Sequence, residues 1–267
     1  MKKWLSILLT SILLAGILAA CGTSEKEEAT NGAGEESEKK VLTMGTSADY
    51  PPFEYVETAK SDEIIGFDID LAKAIAGKLG YEVEVKDIDF GGLIPAIESK
   101  QVDFVLSGMT PTEERKKTVD FSDIYYTAHH MIVTKKDSGI EKPEDLKGKT
   151  VGVQMASIQE GLAKEMVEKS KIEMKIENRN RIPEIVQELN AGRFDAAIIE
   201  DTVAKGYLKE NKDLAGHVIN EGSEEAGSAI AFAKGSKLTE DFNKELNAMK
   251  ENGELEKLVV KWFGGEQ

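Results

Sequence analysis

The chain has 267 residues, with 34 Lys and Arg against 49 Asp and Glu, and a formal charge of −15 at pH 7. That balance excludes a nucleic-acid partner, because neutralising phosphates requires a basic face. The one cysteine, Cys21, excludes an intrachain disulfide and leaves no cysteine in the body for a thiolate metal site or a cysteine nucleophile.

At the N-terminus, Lys2 and Lys3 precede an apolar run from Leu5 to Ala20, interrupted by Ser6, Thr10, Ser11 and Gly16. A charged region followed by an apolar one too short for a comfortable bilayer span is the pattern of a secretory signal, assigned to residues 1–20. The run ends Leu18-Ala19-Ala20-Cys21-Gly22, which resembles a lipobox and implies that Cys21 becomes an acylated first residue. Residues 22–40, GTSEKEEATNGAGEESEKK, offer only alanine as apolar material. Such a segment cannot offset its ordering entropy, so residues 21–40 are expected to form a lipidated, disordered tether. As a flexible chain it spans roughly 25 Å root-mean-square. No later stretch is long and apolar enough to cross a membrane.

From Val41 to Phe263, about 220 residues bound the body to one or two α/β domains. Val41 to Thr46 reads as a first strand. Phe67, Leu71, Ile75 and Leu79 recur every four residues, with Asp68 and Asp70 in the first turn and Gly80 as a stop, which predicts an amphipathic helix. Glu82-Val83-Glu84-Val85 alternates as a strand, and Leu93 to Ile97 starts a helix with Pro95 near its beginning. Strand and helix patterns alternate throughout, which argues mainly parallel pairing. The halves also echo one another. Leu93 to Ile97 leads to Phe104-Val105-Leu106 as Ile182 to Val186 leads to Ala196 to Ile199, and Val41 to Gly45 matches Val151 to Gln154. Two like-built lobes with facing strand ends would enclose a ligand cleft.

The stretch from Asp103 to Tyr126, DFVLSGMTPTEERKKTVDFSDIYY, carries the most chemistry. A buried-strand pattern stops at Ser107-Gly108-Met109-Thr110, and Pro111 keeps Thr110 out of helical geometry. A strand end meeting a polar turn and a possible helix start at Thr112 to Arg115 offers backbone N–H groups to an anion. Arg115 adds a planar fork that matches a carboxylate.

SGMTPTEERKKTVDFSDIYY resembles the extracytoplasmic amino-acid-binding proteins, the family 3 solute-binding receptors of ABC importers. GTSADYPPFEY, IGFDIDLAKAIAGKLG, DLKGKTVGVQ, RFDAAIIEDT and NGELEKLVVKWFG look like landmarks of the same family in family order, so the resemblance covers Leu42 to Phe263. It implies an α/β, two-lobed periplasmic-binding-protein-like fold, each lobe a mixed, mainly parallel sheet flanked by helices, with the ligand in the interlobe cleft. Lobe 1 would comprise 41–130 and a returning segment 228–267, and lobe 2 would comprise 131–227. The crossings would fall near His129–Thr134 and Glu225–Ser228, with closure a hinge motion.

The resemblance also implies site roles. Arg115, Thr110 and the backbone around Gly108, Met109 and Thr110 would hold an α-carboxylate. Asp201 would accept the α-ammonium, helped by Ser107 and the Gly108 carbonyl. Tyr50 and Phe90 would frame the ligand side chain, and a guanidinium between two rings gains cation–π energy. Ser47, Asp49, Glu54, Gln154, Gln159 and Glu200 are the polar residues near the mouth, and their acids favour a basic amino acid, arginine before lysine or histidine. SGMTPTEERKK, AHHMIV and the Ser157-Ile158-Gln159-Glu160 turn are similar to the basic-amino-acid receptors of Bacillus-type importers. The chain departs from the wider family at Ala156-Ser157-Ile158, where a hydroxyl is missing and the Ile158 N–H or Ser157 would substitute. It departs again at Ser47, where an Asp is common and where Asp49 or Glu200 would supply the charge.

Expected partners are a permease and its ATPase, with the membrane reached through the lipid anchor on the outer face only. The receptor would be monomeric and would need no cofactor, metal or catalytic residue. Of the three histidines, His129, His130 and His217, the first two are neighbours at the expected crossing and read as partly exposed residues and not as metal ligands. A receptor for a polar amino acid such as glutamine, a dehydratase-like enzyme on the same scaffold, and a surface adhesin or sensor are the rival readings.

Overall fold

The computed structural model describes residues 40–264 apart from Ala59 and 220–225. The leader, Cys21 and the tether up to residue 39 lie outside the described residues; Lys40 is already the first residue of a strand.

The chain opens with β1 (Lys40–Thr46), a short three-stranded unit of β2 (Asp49–Tyr50), β3 (Glu54–Val56) and β4 (Ile64–Ile65), then α1 (Phe67–Lys78) and β5 (Tyr81–Asp87). Next come α2 (Leu93–Glu98), β6 (Phe104–Val105), β7 (Val119–Phe121), β8 (Tyr126–Ala128) and β9 (His130–Lys135). The middle segment carries β10 (Thr150–Gln154), α3 (Ile158–Glu168), β11 (Lys175–Arg179), α4 (Ile182–Asn190), β12 (Ala196–Glu200), α5 (Asp201–Glu210) and β13 (Leu214–Val218). The chain returns through β14 (Ala226–Ser228) and β15 (Ala231–Ala233) to α6 (Lys237–Glu251) and α7 (Glu254–Phe263).

Two five-stranded sheets form, in the orders β5-β1-β6-β15-β7 and β11-β10-β12-β9-β13. In each, the first three strands are parallel and the fourth is antiparallel to the third. The repeated grammar of the two halves thus becomes one topology built twice, and the fold is the two-lobed α/β arrangement expected from the sequence. Only the fourth strand differs in origin, since β15 comes from the returning segment and β9 from the middle of the chain. Passage between lobes runs through a two-stranded ribbon of β8 and β14, in register Ala226↔Ala128 and Ser228↔Tyr126. The strand His130–Lys135 lies in the second sheet from its first residue, so the first crossing runs through residues 126–129 and meets the expected His129–Thr134 only at His129.

Strand periodicity distributes apolar side chains to both faces of each sheet. Along β12, Ala196 and Ile198 join a cluster with Val151, Val153 and Ala163 of α3, while Ala197 and Ile199 join Ile185 of α4 and Val203 of α5. In the first sheet, Val105 and Ala231 meet Leu93 and Ile97 of α2, and Phe104 and Phe232 meet Phe242 of α6. Each lobe is therefore a helix–sheet–helix sandwich that holds its strand ends rigidly. Among the described residues no helix is long and apolar enough to cross a membrane.

One local constraint ties α1 to the cleft. Gly66 has φ 142° and ψ 177°, where only glycine is comfortable, and a Cβ there would stand 2.0 Å from the Phe53 carbonyl oxygen. That close approach lets the N–H groups of Phe67 and Asp68 bond the carbonyls of Pro52 and Phe53 at 3.0 and 2.9 Å. Gly66→Ala should lower the unfolding free energy by at least about 2 kcal/mol, measured by urea denaturation.

Candidate functional site

The parallel strands β1, β6, β10 and β12 end on the two sides of one cleft, and the residues just beyond their carboxyl ends line it. Between them lies a small cavity at the strand ends, the usual place for a small-molecule site in such a fold. From the first lobe it is lined by Ser47, Asp49, Tyr50, Glu54, Phe90, Ser107, Gly108, Thr110 and Arg115. From the second lobe come Gln154, Ser157, Ile158, Gln159 and Glu200. Gly108 adopts φ 52°, and a Cβ there would press within 3.0 Å of the Tyr50 ring. Glycine at this turn therefore lets the ring lie against the backbone.

Arg115 is the cavity's cation. Its Nη1 donates to the Thr110 carbonyl at 2.8 Å and its Nη2 to the Ala156 carbonyl of the other lobe at 2.8 Å. Its guanidinium carbon stands 5.3 Å from the Phe90 ring centre. Among the described residues no carboxylate pairs with it, and burial away from water pulls its pKa down to about 10, with only Glu114 opposing. Of its five donors two are used, which leaves a desolvated cation ready for an anion.

The rest of the lining is acidic. Asp49, Glu54 and Glu200 are all buried. Burial lifts Asp49 to about 6, against hydrogen bonds from the Ile182 N–H at 2.7 Å and the Ser47 hydroxyl at 2.8 Å. Burial, reinforced by Asp68, raises Glu54 well above the usual carboxylate range. Burial, reinforced by Asp201, does the same to Glu200, whose Oε2 accepts the Tyr50 hydroxyl at 3.4 Å. Glu54 Oε2 and Glu200 Oε1 have no donor among the described residues. Buried acceptors of this kind are costly unless a donor or cation arrives.

Ser157 caps α3, donating its hydroxyl to the Gln154 carbonyl at 2.7 Å and accepting the Glu160 N–H at 3.1 Å. Its oxygen is thereby committed. The N–H groups of Ile158 and Gln159, in the first turn, have no intrahelical partner and sit at the positive end of the helix. The turn at Thr112 to Arg115 forms no α-helix, only a 3₁₀ turn over Arg115–Lys117, so the helix N-terminus at this cavity belongs to α3.

Among the expected residues, Met109, whose expected part is its backbone, sends its side chain into the core, and Asp201 lies apart from the cavity. Met109 is buried beneath α2 with Leu93 and Val105, because its side chain takes the core face of the turn. Asp201 is the first residue of α5, turned away from the cavity. Its Oδ1 accepts the His129 N–H at 3.0 Å and its Oδ2 pairs with Lys205 at 2.6 Å. Burial raises its pKa, but Lys205 and the His129 N–H outweigh this and leave it lowered. The ammonium role that the resemblance implies for Asp201 is not open to it in this geometry; Glu200, one residue earlier on β12, faces the cavity. Glu200 is the last extended residue and Asp201 the first helical one, and neighbouring side chains of an extended segment point to opposite sides.

Two supporting residues escaped the sequence reading. Asp68, read as a dipole charge, is fully buried, and its Oδ2 accepts the Gly108 N–H at 2.9 Å and the Tyr125 hydroxyl at 2.8 Å. His130, expected to be partly exposed, is buried at the start of β9, where its Nδ1 meets Gln159 Nε2 at 3.3 Å. Burial lowers its pKa and favours the neutral ring.

The lobes also bond directly. Arg181 reaches Asp87 at 2.8 Å and Asp89 at 2.6 Å, Asn180 donates to Asp89 at 3.0 Å, and the Tyr207 hydroxyl donates to the Asp49 carbonyl at 2.9 Å. The cleft is closed in this structure.

Twin lobes over a polar cavity with both signs of charge define a solute receptor. Residues 42–265 match the model of the bacterial extracellular solute-binding proteins, family 3, and the chain belongs to that family. It is 61% identical over 268 residues to the arginine-binding extracellular protein ArtP of Bacillus subtilis (strain 168), covering 100% of each. Among solved structures, the substrate-binding protein of an amino acid ABC transporter superposes with a TM-score of 0.79 at 50% identity, over 84% of this chain and 99% of the other. An ancestral arginine-binding protein bound to arginine gives 0.77 at 44%, over 84% and 98%. Two of these relatives are arginine-binding proteins by name, and the third is the substrate-binding protein of an amino acid ABC transporter.

Asp201→Ala should lower the unfolding free energy by about 2 kcal/mol, by loss of two charge-assisted bonds. It should change amino-acid affinity by less than about threefold. Denaturation and titration calorimetry on the same variant separate the two effects.

Proposed function

We propose that the protein captures a basic L-amino acid, arginine first, by closing its lobes, and delivers it to an ABC permease. The observation that carries this reading is the charge map of the cavity. One unpaired guanidinium and one helix N-terminus stand among three buried carboxyl groups. A zwitterion with a cationic side chain supplies an anion for the first two and cations for the acids. Among the described residues, Asp49 alone of these acids already has a cation near it, Arg181 at 4.0 Å.

In this reading the α-carboxylate meets Arg115, Thr110 and the first N–H groups of α3. The α-ammonium meets Glu200, Ser107 and the Gly108 carbonyl. The side-chain cation lies between Tyr50 and Phe90, facing Asp49 and Glu54, with Ser47, Gln154 and Gln159 completing its hydrogen bonds. A neutral amide such as glutamine leaves the acidic floor uncompensated, which costs affinity. The arginine named in the relatives agrees with this preference.

The reading extends to the whole chain. Residues 1–20 direct secretion, Cys21 carries the lipid, and the segment to residue 40 tethers the receptor to the outer face of the membrane. Residues 41–129 with 228–267 form lobe 1, and 130–227 form lobe 2, which moves His130 from the expected first lobe to the second. The receptor works as a monomer beside a permease and its ATPase, and it performs no chemistry on its ligand.

Arg115→Ala should weaken arginine binding by at least about 100-fold, since removing one side of a buried charge pair costs about 2–5 kcal/mol. A thermal-shift panel of amino acids on protein lacking residues 1–21 checks the preference. At about 1,000 times its dissociation constant a ligand adds about 4 kcal/mol. Shifts confined to arginine, lysine and histidine support the assignment. A larger shift with glutamine, or unchanged binding in Arg115→Ala, overturns it.

A further inference from the structure

Beneath the acidic floor of the cavity, Glu54 of β3 and Asp68 of α1 form a buried carboxyl pair within hydrogen-bonding reach of each other. Neither side chain is accessible to solvent. Each has one oxygen supplied with donors. Glu54 Oε1 accepts the Ser107 hydroxyl at 2.7 Å, and Asp68 Oδ2 accepts the Gly108 N–H and the Tyr125 hydroxyl. Each has one oxygen with no donor among the described residues, Glu54 Oε2 and Asp68 Oδ1. Two adjacent ionised carboxylates without a donor between them would combine desolvation with like-charge repulsion. A single proton held by the pair relieves both costs.

Glu54 lines the ligand cavity, whereas Asp68 lies behind it, so the pair has one member in reach of a ligand cation and one sealed off. From these contacts we infer that the Glu54–Asp68 pair holds one proton in the empty receptor and releases it when a cationic side chain enters the cavity. The inference rests on the proposed basic ligand. A guanidinium facing Glu54 replaces the proton as the compensating charge, and the proton leaves to solvent. Uptake is thereby coupled to pH, with affinity rising as pH rises, because proton loss accompanies binding. Asp68 is then a positioning residue. It fixes the Ser107–Gly108 turn through the Gly108 N–H and keeps Glu54 neutral until a ligand arrives.

The other titratable and charged groups around the pair are Asp49 and Tyr50 of β2, Tyr125 ahead of β8, and Glu200 of β12. Burial and neighbouring negative charge raise both tyrosines well above their usual range, so they stay protonated throughout. Burial raises Asp49 only to about 6, so it is mostly ionised at neutral pH. Glu200 is the remaining competitor as proton source, and a variant of the pair distinguishes the two. Asp68→Asn is close to isosteric. Its oxygen can still accept from Gly108 and Tyr125, and its amide can donate to Glu54 Oε2, leaving Glu54 ionised before ligand arrives.

Arginine is titrated calorimetrically near pH 7 in buffers of differing ionisation enthalpy, where the slope of observed heat against buffer enthalpy counts protons. The wild-type protein should release about one proton or more, and Asp68→Asn about one fewer. Arginine binding by wild type with no proton released, or an undiminished count in Asp68→Asn, overturns the inference and leaves the receptor reading intact. Absence of arginine binding by wild type removes the receptor reading itself. If Asp68→Asn fails to fold, Glu54→Gln carries the same test, since its amide can donate to Asp68 and it has no proton to lose. Infrared difference spectra of wild type give a variant-free check: a protonated carboxyl band must vanish on adding arginine, and its persistence refutes the inference.

Discussion

The structure is organised around the burial of carboxyl groups with few compensating cations among the described residues. Asp49, Glu54, Asp68 and Glu200 are withdrawn from water around a cavity whose one cation, Arg115, has no carboxylate partner among the described residues. Taking a carboxylate out of water costs several kcal/mol unless hydrogen bonds or a counter-charge offset it. An isolated domain built for stability alone would avoid such a cluster. Here the cost is borne by helix–sheet–helix sandwiches on either side, and the imbalance is what a charged solute relieves. Binding strength and selectivity then arise from one source, the unmet electrostatic demand of the empty site.

The two lobes contribute differently to that demand. The first supplies the guanidinium, both aromatic rings and most of the acids. The second supplies the α3 N-terminus, two glutamines and Glu200. Their direct contacts across the cleft are largely polar, as in the Arg181 contacts with Asp87 and Asp89 and the Ile182 N–H on Asp49. Polar contacts of this kind exchange with water at little net cost, whereas apolar clusters on each sheet do not. The β8–β14 ribbon, only three residues long on each strand, joins two bodies of much greater cohesion. A hinge between rigid lobes follows from that contrast.

Behind the cavity wall, a further layer sets the side chains that meet the solute. Asp68 gathers Gly108, Tyr125 and Glu54, and His130 steadies Gln159. These residues are buried, and their polar atoms are directed at the lining and its supports. Such support turns a flexible polar cleft into one with fixed donors and acceptors, and preorganisation of that kind reduces the ordering cost of binding. The Gly66 and Gly108 backbones serve the same end, each admitting a close approach that a side chain would block.

Much of this was legible in the sequence. The alternation of strand and helix, the echo between Val41–Leu106 and Val151–Ile199, and the turn around Ser107–Arg115 specify the fold class and most of the lining, because local periodicity and turn chemistry are written residue by residue. Burial of Asp68 and His130, and the choice between Glu200 and Asp201, were not. Each depends on which way a side chain points once a strand gives way to a helix, and on what packs behind it from distant segments. Glu200 and Asp201 are adjacent acids at the end of one apolar strand, indistinguishable by composition. Tertiary packing alone turned the first into the cleft and gave the second to Lys205. It also placed Glu54 of β3 against Asp68 of α1, behind a cavity whose far wall is built from residues nearly a hundred positions further along the chain. The sequence by itself thus determined the elements and the kinds of charge available, and the tertiary structure decided which charges share a low-dielectric space, since electrostatic energy depends on distance and burial and not on order along the chain.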